Sequence, residues 1–211
     1  MTTLLKQLTS ISPPKIPLPS ELLKFYQWVE NNGLIEEYNG FLHGRISHDW
    51  ENTPDITLTA SCQPSIKYWF DIPEITNEIA SRLLIFAESG MDGSMLGIWI
   101  DDDERLKYVH LGSGSGSTLC CVIANSTIEF LTLISIGYKE LGFVSDFTLT
   151  PEENGDEPKV NQAFIDWLKE NFNITAPSNG ANIVKNPAQL WDDKTTDHFC
   201  GWCKKQIAKK Q

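Results

Sequence analysis

Gly112-Ser113-Gly114-Ser115-Gly116-Ser117, a strict alternation of glycine and serine, is the first stretch of this chain whose residue types could do chemistry. The exposed N–H groups of a glycine-rich loop can cradle a phosphate. A nucleoside triphosphate loop, however, ends in Lys followed by Ser or Thr, and a dinucleotide loop opens directly into a helix. Here the run leads into Thr118-Leu119-Cys120-Cys121-Val122-Ile123, an apolar strand pattern, so a flexible connection between strands is the better account. The four consecutive carboxylates Asp101, Asp102, Asp103 and Glu104 would suit Ca²⁺ or Mg²⁺, but the alternating ligands, sixth-place Gly and distal Glu of a calcium loop are missing. They read as a solvated hairpin tip and as a candidate patch for a basic partner. Glu152, Glu153, Asp156 and Glu157, in a turn-rich acidic stretch, form a second candidate patch.

Cys200-Gly201-Trp202-Cys203 has the spacing of a redox pair. Such a pair normally follows a strand at a helix N-terminus early in a βαβ unit, where the helix end lowers a thiol pKa. In this chain only eight residues follow and no strand pattern precedes, so packing of Cys and Trp on a last helix is preferred. A zinc site using His198 would find three ligands at most. His43, His48, His110 and His198 are scattered, and Gly-x-Ser-x-Gly and His-Glu-x-x-His are both absent. No catalytic residue, cofactor ligand or metal ligand is therefore assigned, and a non-enzyme is expected.

Charge narrows the partner. The chain has 211 residues with 17 basic and 28 acidic side chains, a net charge of −11. The last eight residues hold four lysines and no acid, so residues 1–203 carry 13 basic and 28 acidic side chains, net −15. Such a body repels nucleic acid and anionic membranes and attracts basic proteins at long range. Nucleases are basic because they must hold phosphates, which makes them a natural partner class. Residues 1–20 contain no apolar core of a signal peptide, and no apolar run approaches the roughly 18 residues of a membrane helix. A cytoplasmic setting follows as the expectation, with the five cysteines reduced.

The pattern of elements that must position these residues is α+β: a central, mainly antiparallel sheet, with a mixed sheet as the alternative, wrapped by helices at both ends of the chain. Residues 1–19 close on Pro13-Pro14-Lys15-Ile16-Pro17-Leu18-Pro19 and read as an extended arm. Ser20 caps a helix that carries Leu22, Phe25, Tyr26 and Val29 on one stripe and stops at Gly33. Residues 55–60 alternate as a strand, 67–70 read as another, and a short helix spans 74–81. Strands over 83–87, 95–100, 106–111 and 118–124 follow, with connections short enough to favour antiparallel neighbours. Ser126-Thr127-Ile128-Glu129 forms a capping box for a helix repeating Ile128, Leu131, Ile134, Tyr138 and Leu141 up to Gly142. Helices over about 160–172 and 195–210 complete the chain, the last with Phe199, Trp202 and Cys203 inward.

The order of features over 83–141 is more specific than any one of them. Leu83-Leu84-Ile85-Phe86-Ala87-Glu88 precedes a Gly/Asp turn and Leu96-Gly97-Ile98-Trp99-Ile100; then come Tyr108-Val109-His110-Leu111 and Ala124-Asn125-Ser126-Thr127-Ile128-Glu129-Phe130-Leu131. This order, with Leu18-Pro19-Ser20-Glu21-Leu22 at the start of the first helix, resembles the SUKH superfamily of Smi/Knr-like proteins. After Asn31-Asn32-Gly33 a stretch to residue 65 departs from that pattern, and a Gly-Ser run replaces its polar loop. The resemblance implies an α+β domain whose bacterial members are mostly immunity proteins. Those members are encoded beside secreted toxins, many of them nucleases, and neutralise them by direct binding. A fungal branch regulates cell-wall assembly through protein partners, which leaves a regulatory scaffold as the alternative; a third reading, a small-ligand or nucleotide binder, would rest on a pocket near Gly112 to Ser117. The family brings no catalytic residues with it. On this reading residues 1–19 are an arm, 20–145 a SUKH-like core and 146–211 a helical extension packed on the same domain. Exposed aromatics such as Trp50 or Trp69 would anchor the partner.

Overall fold

A computed structural model describes residues 3–209, with the side chain of Trp50 outside the described set. Its centre is a seven-stranded antiparallel meander in which every strand pairs with its sequence neighbours. The strands are β1 (Ile35–Tyr38), β2 (Phe41–Gly44), β3 (Thr57–Leu58), β4 (Leu83–Glu88), β5 (Met95–Ile100), β6 (Leu106–Leu111) and β7 (Cys120–Ala124). The helices are α1 (Leu4–Ile11), α2 (Ser20–Asn31), α3 (Ile66–Trp69), α4 (Asn77–Arg82), α5 (Thr127–Ser135), α6 (Gln162–Phe172) and α7 (His198–Ala208). The fold is α+β with a purely antiparallel sheet.

β4 and β5 are apolar at nearly every position because both faces of the sheet are covered. On one face Phe86, Tyr108 and Phe130 of α5 form a triad with centroids 4.7–5.8 Å apart, and the Tyr26 hydroxyl of α2 donates to the Phe86 carbonyl at 3.2 Å. α6 lies over α2, with Phe164 5.7 Å from Phe25 and Trp167 5.4 Å from Trp28. On the other face Trp99 of β5 meets Phe199 and Trp202 of α7 at 5.4 and 5.7 Å. Edge-to-face and offset rings of this kind add modestly to the burial itself.

The ends of the fold correct several expectations. The N-terminal segment is no arm: Thr3 caps α1, and Leu4 and Leu8 are buried in the core. Leu5 donates its N–H to Glu30 of α2, and the Gln7 amide bridges Leu42 N–H and the Gly40 carbonyl. Gly44 lets this happen, since a Cβ there would sit 2.5 Å from Leu4 and 2.9 Å from Val29. The β1–β2 hairpin was not foreseen, although Asn39-Gly40, both at positive φ, is the turn chemistry a two-residue hairpin demands. Residues 66–69 form a helical turn rather than a strand, and the short helix expected over 74–81 runs from Asn77 to Arg82 with Thr76 as its cap. Pro19, not Ser20, occupies the cap position of α2. In α5, Ser126 accepts from Glu129 N–H as the capping box requires, but Glu129 reaches back to Asn125 N–H, and the helix ends at Ser135 before Tyr138 and Leu141.

If α1 is part of the core, Leu8→Ala should cost about 2–5 kcal/mol, the range for emptying a buried leucine site. Chemical denaturation checks this; a change within about 0.5 kcal/mol would return α1 to the status of an appendage.

Candidate functional site

Asp92, in the β4–β5 turn, organises one end of the sheet. Its Oδ1 accepts Ser94 N–H at 2.9 Å, and its Oδ2 accepts the Ser94 and Ser113 hydroxyls at 2.9 Å and Ser117 N–H at 2.8 Å. Partial burial works against the ionised form, but these donors outweigh it and hold the carboxyl below its ordinary range. The Gly-Ser run is therefore pinned, not a flexible linker: Trp69 Nε1 donates to the Gly112 carbonyl and Ser117 Oγ to that of Gly142, both at 2.7 Å. The N–H groups of Gly112, Ser113, Gly114, Gly116 and Ser117 are all bonded within the protein, so the loop offers no open phosphate cradle.

Three further carboxylates crowd this end. A Cβ on Gly90 would lie 2.9 Å from both Asp92 Oδ1 and Glu140 Oε2, which places these two acids around one glycine. Burial, then Asp55, Asp92 and Asp156 against the pull of Lys139, leave the Glu140 pKa raised. Asp55 is also raised, here by burial, which outweighs the pull of Arg45 and Lys139; Glu88 adds a smaller push. Glu88 accepts the Cys62 thiol proton at 3.1 Å; burial and this neighbouring charge push Cys62 up to about 12. A cavity of about 350 Å³ opens among Cys62, Tyr68, Glu88, Asp92 and Ser113. Tyr68, 73% exposed, stands on its rim, and Met91, 87% exposed, lies in the same turn as Asp92. The two carboxylates lining the cavity, Glu88 and Asp92, could receive a basic side chain.

The acidic sets singled out in the sequence lie differently. Asp101, Asp102, Asp103 and Glu104 sit at the opposite end of the strands, on the β5–β6 turn, and are not a bare negative knob. Asp101 is buried, accepts the N–H groups of Asp103 and Arg105, and pairs with Arg105 Nε at 3.2 Å. Arg105 also pairs with Asp103, Arg82 with Asp102 at 2.8 Å, and Lys107 lies 3.9 Å from Asp101. Three cations thus offset most of that charge. Glu152, Glu153, Asp156 and Glu157 are exposed on a loop ordered by Asn154, whose amide bridges the backbone of Ser145, Asp146, Leu149 and Thr150. Of these, Asp156 lies close enough to Glu140 to add to the acidic end. Trp69 is half-buried with its N–H engaged, so it is not a free anchor; the Trp50 side chain is outside the described residues.

His110, wholly buried in β6, is tied at both nitrogens: Nδ1–H donates to the Leu119 carbonyl at 2.9 Å, which leaves Nε2 to accept the Ser89 hydroxyl at 3.0 Å. Burial drives its pKa down to about 4, against the pulls of the Leu119 carbonyl and Asp92. All five cysteines are unpaired and buried. Cys200 and Cys203 do stand in the first turns of α7, but burial raises Cys203 where a helix end alone would lower it. Among the described residues no group of three or more His, Cys, Asp or Glu side chains could hold a metal ion, and no helix is long and apolar enough to cross a membrane.

Compared with protein-family models, curated proteins and solved structures, the chain matches none, so the likeness over residues 83–141 rests on those residues alone.

Two measurements follow. A histidine neutral in the fold and free to charge when unfolded supports stability above pH 6.5; that support is lost as pH falls toward about 4. The limiting slope is about 1.4 kcal/mol per pH unit. Subtracting the stability-versus-pH curve of His110→Gln from that of the parent should isolate this loss, since Asp55 and Glu140, raised and so acting in the opposite sense, are common to both. Parallel curves over this window would show that His110 is charged in the fold. Ellman's reagent should titrate no thiol of the native protein within minutes and all five in denaturant; native reaction at Cys200 or Cys203 would restore the redox reading.

Proposed function

We propose that this protein is an immunity protein that acts by binding alone: it neutralises a cognate secreted bacterial toxin, of the basic, nuclease-like kind, by laying an acidic face over it. The observation that carries this reading is the acidic excess at the Asp92 end of the sheet, where Asp55, Glu88, Asp92, Glu140 and Asp156 meet, among the described residues, only Arg45 and Lys139 as cations acting on Asp55 and Glu140. There Glu140 is raised by burial and then by Asp55, Asp92 and Asp156, and exposed Tyr68 shares a cavity with Glu88 and Asp92, with exposed Met91 in the same turn as Asp92. A carboxylate cluster kept in mutual repulsion gains most when a cation arrives, and an adjoining aromatic supplies desolvated contact area. The net charge of −11 steers a basic partner toward the molecule. The ordered motifs of residues 83–141, similar to SUKH proteins, supply the class of partner. We assign no catalytic residue, because His110 has both nitrogens occupied and the thiols are buried. We place the protein in the cytoplasm, where five reduced thiols are in keeping with the redox poise and an incoming toxin would be met before it acts.

Co-expression with the toxin encoded by the adjacent gene should rescue growth. With purified partners, the association rate should fall by about tenfold from low to moderate salt while dissociation changes little. The double variant Tyr68→Ala, Glu140→Lys should lose rescue while remaining folded. Absence of any toxin neutralisation, with tight binding to a host regulator instead, would favour the scaffold reading; a salt-insensitive association rate would remove electrostatic steering.

A further inference from the structure

A second cavity, of about 240 Å³, lies at the other end of the strands, where β5, β6 and β7 meet the start of α7. Its walls carry Arg105, Lys107, Lys185 and His198, a concentration of basic side chains in a molecule that is otherwise strongly acidic. Two carboxylates, Asp101 and Asp197, also reach it, but both are already committed to donors of the protein. Asp101 accepts the N–H groups of Asp103 and Arg105 and pairs with Arg105, and Asp197 accepts Cys200 N–H at 2.8 Å and Val122 N–H at 3.0 Å. Arg105 is paired with Asp103 as well as Asp101, and Lys107 lies 3.9 Å from Asp101 and bonds Asn125 at 2.9 Å, whereas Lys185 makes no ion pair among the described residues, reaching only the Ala181 carbonyl at 3.4 Å.

Trp99 also lines this cavity, and its indole N–H is the one buried side-chain donor without an acceptor among the described residues. A buried N–H left unpaired is uncommon in folded proteins and marks a place where an acceptor is missing. Because Asp197 already takes a donor from the first turn of α7, the attraction here comes from Lys185 and the indole more than from the helix end.

We propose that this cavity is a binding site for a small oxyanion, a phosphate or carboxylate group, held chiefly by Lys185 and the Trp99 N–H, with Lys107, Arg105 and His198 at the wall. Its volume falls just below the range of about 300–1,000 Å³ usual for sites that enclose a whole small molecule, which suits the charged head of a ligand more than its whole body. The site is separate from the acidic end and does not depend on the immunity reading.

The test uses the ¹⁵N-labelled full chain at neutral pH and constant ionic strength. The Trp99 indole signal is assigned through Trp99→Phe. Inorganic phosphate and sodium acetate are titrated separately against a sodium chloride control. The Trp99 signal is expected to move saturably with at least one oxyanion, with a dissociation constant below about 10 mM. Lys185→Gln, at an exposed position, should weaken that binding by about tenfold while leaving the other indole signals in place. Response to phosphate alone assigns a phosphate ligand, and response to acetate alone a carboxylate. A Trp99 signal that moves no more than in chloride, or that moves identically in Lys185→Gln, overturns the proposal.

Discussion

The constraint on which the structure depends is that its central strands are apolar on both sides. β4 and β5 bury almost every side chain, and a sheet so composed must be covered by helices above and below. One face takes α2 and α5 through Tyr26, Phe86, Tyr108 and Phe130; the other takes α7 through Trp99, Phe199 and Trp202. Chain segments distant in sequence are thereby drawn into one core, including α1, α6 and α7. With both faces closed, polar chemistry is confined to the ends of the strands.

Those two ends differ in electrostatic character. At the β4–β5 turn, Asp92 uses its donors to order the Gly-Ser run and stays ionised, while burial raises Asp55 against the pull of Arg45 and Lys139, and burial with neighbouring carboxylates raises Glu140. At the β5–β6 turn, Arg82, Arg105 and Lys107 answer the carboxylates of Asp101, Asp102 and Asp103. Arg82 lies over the rings of Trp99 and Trp202 while bonding the Ile100 carbonyl, so the cations there are tied into the aromatic core as well as to the acids. A net charge summed along the chain does not show how acids and cations are shared between the two ends.

Buried polar groups follow the same economy of partners. Tyr108 meets Thr127 at 2.7 Å, Tyr138 donates to the Leu149 carbonyl and accepts Gly180 N–H, and His110 is bonded on both sides. Such groups fix the packing of loops on the sheet and leave little reactive capacity inside. Among the described residues Trp99 is the exception, and it stands beside the basic cavity.

Local patterns in the sequence determine β4 to β7 and the start of α5, because continuous apolar runs, turn residues and a Ser/Glu cap act over a few neighbours. The antiparallel order follows from connections too short for a crossover. The Asn39-Gly40 turn signal is present in the sequence, but the short strands beside it alternate too weakly to announce the hairpin. Residues 66–69 were ambiguous, since a short aromatic run suits either a strand or a helical turn. α1 was hidden by the prolines behind it, which end a helix without saying anything of the residues before them. What only tertiary structure decided is which charges meet. Asp92 is joined to Ser113 and Ser117 across two turns, Asp102 to Arg82 from a preceding helix, and the cations near Lys185 and His198 to the end of β6. Charge compensation depends on separation in space, falling off over a few ångströms in a way that position along the chain does not record.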